Sequence, residues 1–221
     1  RPGFVLIAAA LAATLLGACG AAAPLPPPAP AAALPAAAPD ADLVEALGTG
    51  FRMRKPAGWL VVSRARLEAS RREVQIADAR MQERVRQGAP LPLLSLARYP
   101  EDHARLNPTI AVLEQRVADF TPGQVLGQMM PMLARAYPDL QVVEEPAAST
   151  LGAHAAARAR VRFTARTQAG AAYYVESRVV MIRRGGTMFM VMMNGAVDGP
   201  DRCEREFAAA LQSVQIEPAG R

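Results

Sequence analysis

Histidine and cysteine are scarce, with two of each in 221 residues, which leaves little for imidazole or thiolate metal sites and at most one intrachain disulfide. Neither His103 nor His154 has a His, Cys or Glu partner at metal-ligand spacing. The loop Glu101-Asp102-His103 is the nearest approach to a metal site, and it reads as an exposed polar loop. There is no Gly-x-Ser-x-Gly elbow, no Gly-rich phosphate loop and no Cys-x-x-Cys pair. A catalytic set assembled from distant residues stays open as the divergent-enzyme alternative. The expectation is a non-catalytic protein with no cofactor. Lysine is nearly absent: Lys55 is the only one among 25 basic residues, and the formal charge is +5. Usage rich in Ala, Arg and Pro follows from a GC-rich genome, so the charge is weak evidence for nucleic acid, and no nucleic-acid partner is expected. Beyond the N-terminal segment, no further apolar stretch is long enough to span a membrane.

What is present begins at the N-terminus. The apolar stretch Phe4 to Leu16 has the length of a signal-peptide core. No Met precedes this run and Arg1 is the one charge before it, so the beginning of the positive n-region is expected ahead of Arg1. Leu16-Gly17-Ala18-Cys19 follows, a small pair before a cysteine, in the form of a bacterial lipoprotein cleavage box. Cys19 is therefore the candidate lipidation site. An uncleaved anchor from Phe4 to Ala23 and ordinary cleavage nearby are the alternatives. Each buried CH₂ contributes about 0.8 kcal/mol, so one acyl chain holds marginally and two or more hold firmly. Residues 20–42 are almost wholly Ala and Pro, a composition with no core to bury and a bias to polyproline II. This stretch reads as a stalk. The expected organisation is a lipoprotein signal peptide over 1–19, a disordered stalk over 20–42 and a single α/β domain over 43–218. That places the domain outside the cytoplasm, anchored at a membrane and facing the periplasm.

Along the domain, Phe51 to Arg54 and Trp59 to Ser63 read as short strands. Leu67, Ser70, Val74, Ala77, Met81 and Val85 recur at helical spacing, which predicts one amphipathic helix from Arg64 to Arg86. Leu93 to Arg98 and Thr109 to Val117 read as strands. Thr121-Pro122-Gly123-Gln124 carries a helix start: Thr at the N-cap, Pro at the first position, Gln three residues after the cap. Val125, Met129, Leu133 and Ala136 form its buried stripe, Pro131 sits inside it, and Pro138 stops it. Leu140 to Glu144 follows as a strand. A three-strand meander comes next: one strand from Ala155, a second over Ala171 to Arg184, and a third over Thr187 to Asn194 after the Gly185-Gly186 hairpin signal. A helix from Asp198 to Ser213 and a short tail close the domain. Cys203, Phe207, Ala210, Leu211 and Val214 share one face of that helix, so Cys203 reads as a buried hydrophobe. The fold class is α+β, with a largely antiparallel central sheet and helices packed on its faces.

Four segments carry a resemblance: Phe51-x-Met53-x-x-Pro56-x-Gly58-Trp59, Asn107-Pro108 before a strand, Gly185-Gly186 into an apolar strand, and Phe207-x-x-x-Leu211-x-Ser213-Val214. Together they resemble the PsbP-like α/β/α sandwich. That family includes extrinsic photosystem subunits, a Ran-binding import factor and bacterial envelope lipoproteins of the DcrB kind. The resemblance runs from Phe51 to Glu217. It implies an antiparallel sheet with helices on both faces and an accessory or binding role. It carries over no functional residue, because the family shares no catalytic set. The long Arg-rich first helix departs from the family pattern.

Two constellations remain. Arg158, Arg160, Arg162 and Arg166 alternate with apolar residues, and Arg178 on the returning strand joins their face with Tyr174 and Glu176. Arginine grips phosphate and carboxylate through paired hydrogen bonds, so this is a candidate anion-binding face. The plainer reading is a solvated sheet face on which Glu176 neutralises one arginine. Met188, Met190 and Met192 alternate on one strand, Met193 adds the opposite face, and Met129, Met130 and Met132 lie on a helix. Thioethers suit Cu(I), which makes a small-ligand or Cu(I) carrier an alternative, while methionine also fills irregular cores. The sequence thus points to a lipid-anchored binding or accessory protein of a bacterial envelope. Its expected partners are the membrane, through its lipid anchor, and an envelope protein or an anionic lipid or glycan.

Overall fold

The computed structural model describes residues 42–217 apart from 47, 89, 101, 102, 104, 118, 168 and 169. The stretches read as signal peptide and stalk, with Cys19, lie outside the described residues except for position 42. Every strand pair in the domain is antiparallel. A small sheet joins β1 (Leu43–Ala46), β2 (Phe51–Arg54) and β11 (Gln215–Ile216). The large one holds eight strands. Its core is β5 (Leu94–Ala97), β6 (Thr109–Arg116), β10 (Thr187–Ala196), β9 (Ala172–Arg184) and β8 (His154–Thr167), side by side in that order. β3 (Leu60–Val61) flanks β5, and β4 (Val74–Gln75) and β7 (Gln141–Leu151) both flank β8.

Alternation along these strands feeds two cores. Ala157, Ala159, Val161, Phe163 and Ala165 of β8, with Met188, Met190 and Met192 of β10, face α3 (Pro122–Ala136). Phe189, Val191 and Met193 point the opposite way, toward the small sheet and toward Phe207 and Ala210 of α4 (Glu204–Gln212). Helices therefore cover both faces of an antiparallel sheet, as the sequence led us to expect. The methionines are core residues: Met181, Met188, Met190, Met192 and Met193 are all 2% exposed or less.

The helix start at Thr121 forms as read. The Thr121 hydroxyl accepts from the Gln124 N–H, and the Gln124 side chain accepts from the Thr121 N–H. Gly185, at φ 56, turns β9 into β10. Gly195 lets the single 3₁₀ turn Pro200–Arg202 lie against β10, since a Cβ there would sit 2.9 Å from the carbonyl oxygens of Asp201 and Arg202.

Three expectations need correcting. The predicted helix over Arg64 to Arg86 is two helices, α1 (Arg64–Glu73) and α2 (Ala79–Gly88). Between them Val74 and Gln75 leave the helix and pair with Thr167 and Arg166 of β8. The Asp78 carboxylate then starts α2 by accepting from the Met81 N–H. Inward positions were right except at the break, where Ile76 is buried and Ala77 exposed. The strand read as Leu140 to Glu144 runs on to Leu151 through two register shifts. Pro146 fits there because β7 is an edge strand and has a free N–H side. The meander consequently has four strands, β7 to β10. The last helix begins later than Asp198, because the 3₁₀ turn and a left-handed Cys203 (φ 51) precede it.

Candidate functional site

The arginine face splits when built in three dimensions. In the β8–β9 register Arg160 lies opposite Arg178 and Arg162 opposite Glu176. The Glu176 side chain is 3% exposed, and three guanidinium groups close on it: Arg162 at 2.8 Å, Arg178 at 3.2 Å and Arg160 at 3.5 Å. Arg162 donates both Nε–H and Nη2–H to one carboxylate oxygen. Burial alone pushes the Glu176 carboxyl upward, but hydrogen bonds from Arg162 and Arg178 and the charge of Arg160 outweigh it. The net effect holds the group below the usual carboxylate range. Glu176 thus serves three arginines, where the sequence suggested one. Two acids outside the pair of strands complete the network: Glu144 of β7 meets Arg160 at 2.7 Å, and Glu204 of α4 meets Arg178 at 3.3 Å.

Arg158 and Arg166 stand apart. Both are exposed, and neither has an acidic partner among the described residues. Arg158 lines a cleft of about 230 Å³ beside α4, walled by Arg160 and Arg178 with Phe207, Leu211, Val180 and Met193 between them. The cleft is therefore an apolar floor under a cationic rim. Glu144 and Glu204 line it too, already engaged with arginine. Of the five arginines, Arg160, Arg162 and Arg178 are engaged with Glu144, Glu176 and Glu204, and Arg158 and Arg166 are not. Arg166 belongs to the far end of β8, where it borders a different cavity with Gln75, Tyr137 and Asp139.

A second polar cluster carries no pattern visible in sequence. Arg98, at the end of β5, donates to the Pro200 carbonyl at 2.6 Å and lies 3.0 Å from the Cys203 sulfur. The Tyr99 hydroxyl donates to Asp201 at 2.7 Å, and the Tyr99 ring stacks on His103 at 4.0 Å between centroids. Asn107, from the Asn-Pro signal, clamps the Tyr99 backbone through both its amide oxygen and its amide nitrogen. Burial pushes the Cys203 thiol up, against the pull of Arg98. With 3% exposure and a raised pKa, Cys203 is a packing residue and not a nucleophile. Of the metal candidate Glu101-Asp102-His103, only His103 is among the described residues. His154 opens β8, half-buried. Met181, Met188 and Met190 border a cavity of about 240 Å³ on the α3 side of the sheet.

Among the described residues no helix is long and apolar enough to cross a membrane. No family model matches the chain. No curated protein matches it in sequence. Solved structures do match. LpqN of Mycobacterium tuberculosis, described as involved in cell envelope biogenesis, is 20% identical, with a TM-score of 0.47 over 76% of this chain and 83% of its own. PsbP of Synechocystis (CyanoP) is 12% identical, with a TM-score of 0.49 over 84% and 98%. The Ran-binding protein Mog1p of Saccharomyces cerevisiae is 13% identical, with a TM-score of 0.48 over 80% and 95%. Structures of the PsbP kind, which the sequence motifs resemble, are thus among the neighbours.

Proposed function

We propose that the chain is a lipid-anchored, extracytoplasmic accessory protein of a bacterial cell envelope, and that it binds anionic groups without catalysing a reaction. Cys19 carries the anchor and the Ala/Pro stalk holds the domain off the membrane. The observation that supports binding is the α4 cleft, where Arg158 presents a guanidinium with no acid partner among the described residues above an apolar floor. An anion with an apolar neighbour, on a lipid, a glycan or an envelope protein, matches that chemistry.

The network dictates the choice of test. Reversing Arg160 and Arg162 would strand the buried Glu176 among new carboxylates and threaten the fold. Arg158 can be changed safely because it is exposed. Arg158→Glu moves the rim by two charges, and each charge near an anionic surface contributes about 1 kcal/mol. Binding to vesicles containing phosphatidylglycerol, or to an anionic glycan, should therefore fall by roughly 30-fold and weaken with salt. Equal binding by the variant would remove the cleft from the proposal. The anchor is tested separately, by the mass of the N-terminal peptide from membranes. A diacylglyceryl-modified Cys19 supports it, and an unmodified thiol overturns it.

A further inference from the structure

A window opens at the edge of the large sheet. β7 covers β8 from His154 to Arg162, and β4 covers it again at Arg166 and Thr167. Between them residues 163–165 have no strand on that side. The Thr164 N–H is met instead by the Asp139 carboxylate, at 3.0 Å. Over this gap lies a cavity of about 430 Å³, within the ~300–1,000 Å³ of small-molecule sites. Its polar lining is Arg166, Gln75, Thr164 and Asp139, and its apolar wall includes Ile76 and Tyr137.

Two features converge here. Arg166 is exposed and has no acidic partner among the described residues, although Asp139 lines the same cavity. Tyr137 is 3% exposed and stacks on Phe163 at 4.1 Å, and its hydroxyl has no hydrogen-bond partner among the described residues. Burial pushes this phenol well above its ordinary range, so it keeps its proton. We propose that the window binds a small monocarboxylate with an apolar body: Arg166 takes the carboxylate, and Ile76 and the Tyr137 ring take the body. Asp139 sets the charge limit, since its carboxylate repels a multiply charged anion.

The test titrates the purified chain with 3-phenylpropionate, benzoate and hexanoate, read by amide shifts and calorimetry. Neutral 3-phenylpropanol and inorganic phosphate serve as comparisons. Binding of at least one acid is expected, with shifts at Gln75, Asp139 and Thr164. Arg166→Gln should weaken it by about tenfold or more, the scale of one charge-assisted pair. Arg158→Gln, at the other cleft, should leave it unchanged. Tyr137→Phe keeps the ring that takes the body and should leave the affinity unchanged. No response to any of the three acids up to about 10 mM, the weak end of specific binding, overturns the proposal. So does equal affinity in Arg166→Gln, or tighter binding of phosphate or the alcohol than of the acids.

Discussion

Glu176→Gln keeps the size of a side chain that is 3% exposed and removes the charge that three arginines face. Removing one member of a buried ion pair costs about 3–5 kcal/mol when the other is left stranded. Here the stranding is partial. The three arginine side chains are 18–29% exposed, Arg160 keeps Glu144, and Arg178 keeps Glu204. The new amide oxygen also still accepts from Arg162. We therefore expect a loss of about 2 kcal/mol, below the fully buried case. For a domain of this size that lowers Tm by about 4–8 °C at neutral pH, measured by circular dichroism. The pH dependence follows from the sign of the shift. Glu176 is depressed in the folded state, so its charge stabilises the fold above the ordinary carboxylate pKa of about 4.3. That contribution disappears as pH falls through the lower native value. The gap between wild type and Glu176→Gln should thus be full at pH 7 and close in acid. A Tm change under about 1 °C, or a gap that persists unchanged into acid, refutes the reasoning.

Three further outcomes follow from the packing. Gly195→Ala forces a Cβ to within 2.9 Å of two carbonyl oxygens, and should cost about 1–3 kcal/mol in urea unfolding; an unchanged midpoint would mean that the 3₁₀ turn is free to move. Cys203 should react with iodoacetamide about 100-fold slower in the folded chain than in urea, scored on its own peptide by mass spectrometry; equal rates would contradict its burial and raised pKa. Met190→Leu should cost less than about 1.5 kcal/mol and leave Cu(I) affinity unchanged, as for a core residue; weaker Cu(I) binding in the variant would make the thioether a ligand.

Sequence legibility tracked the range of the forces involved. The capping box at Thr121 needs only Gln124, three residues away, and it forms as read. The apolar face of β8 follows from period-two alternation, and Ala157 through Ala165 lie on it. By contrast, the helical spacing from Leu67 to Val85 says which residues go inward but not that the helix continues. Val74 leaves it because an open strand edge at Thr167, far along the chain, offers main-chain partners. Glu144-Glu145-Pro146 reads as the end of a strand, and only an edge position makes it the middle of one.

By itself the sequence settled what depends on near neighbours: the antiparallel sheet with its covering helices, the burial of Cys203 and the methionines, and the candidate arginines on one strand face. Only the tertiary structure decided how those arginines divide. Coulomb attraction and hydrogen bonding act over a few ångströms, and register sets which groups come that close. It brought Arg160, Arg162 and Arg178 onto Glu176, and left Arg158 and Arg166 at two separate cavities.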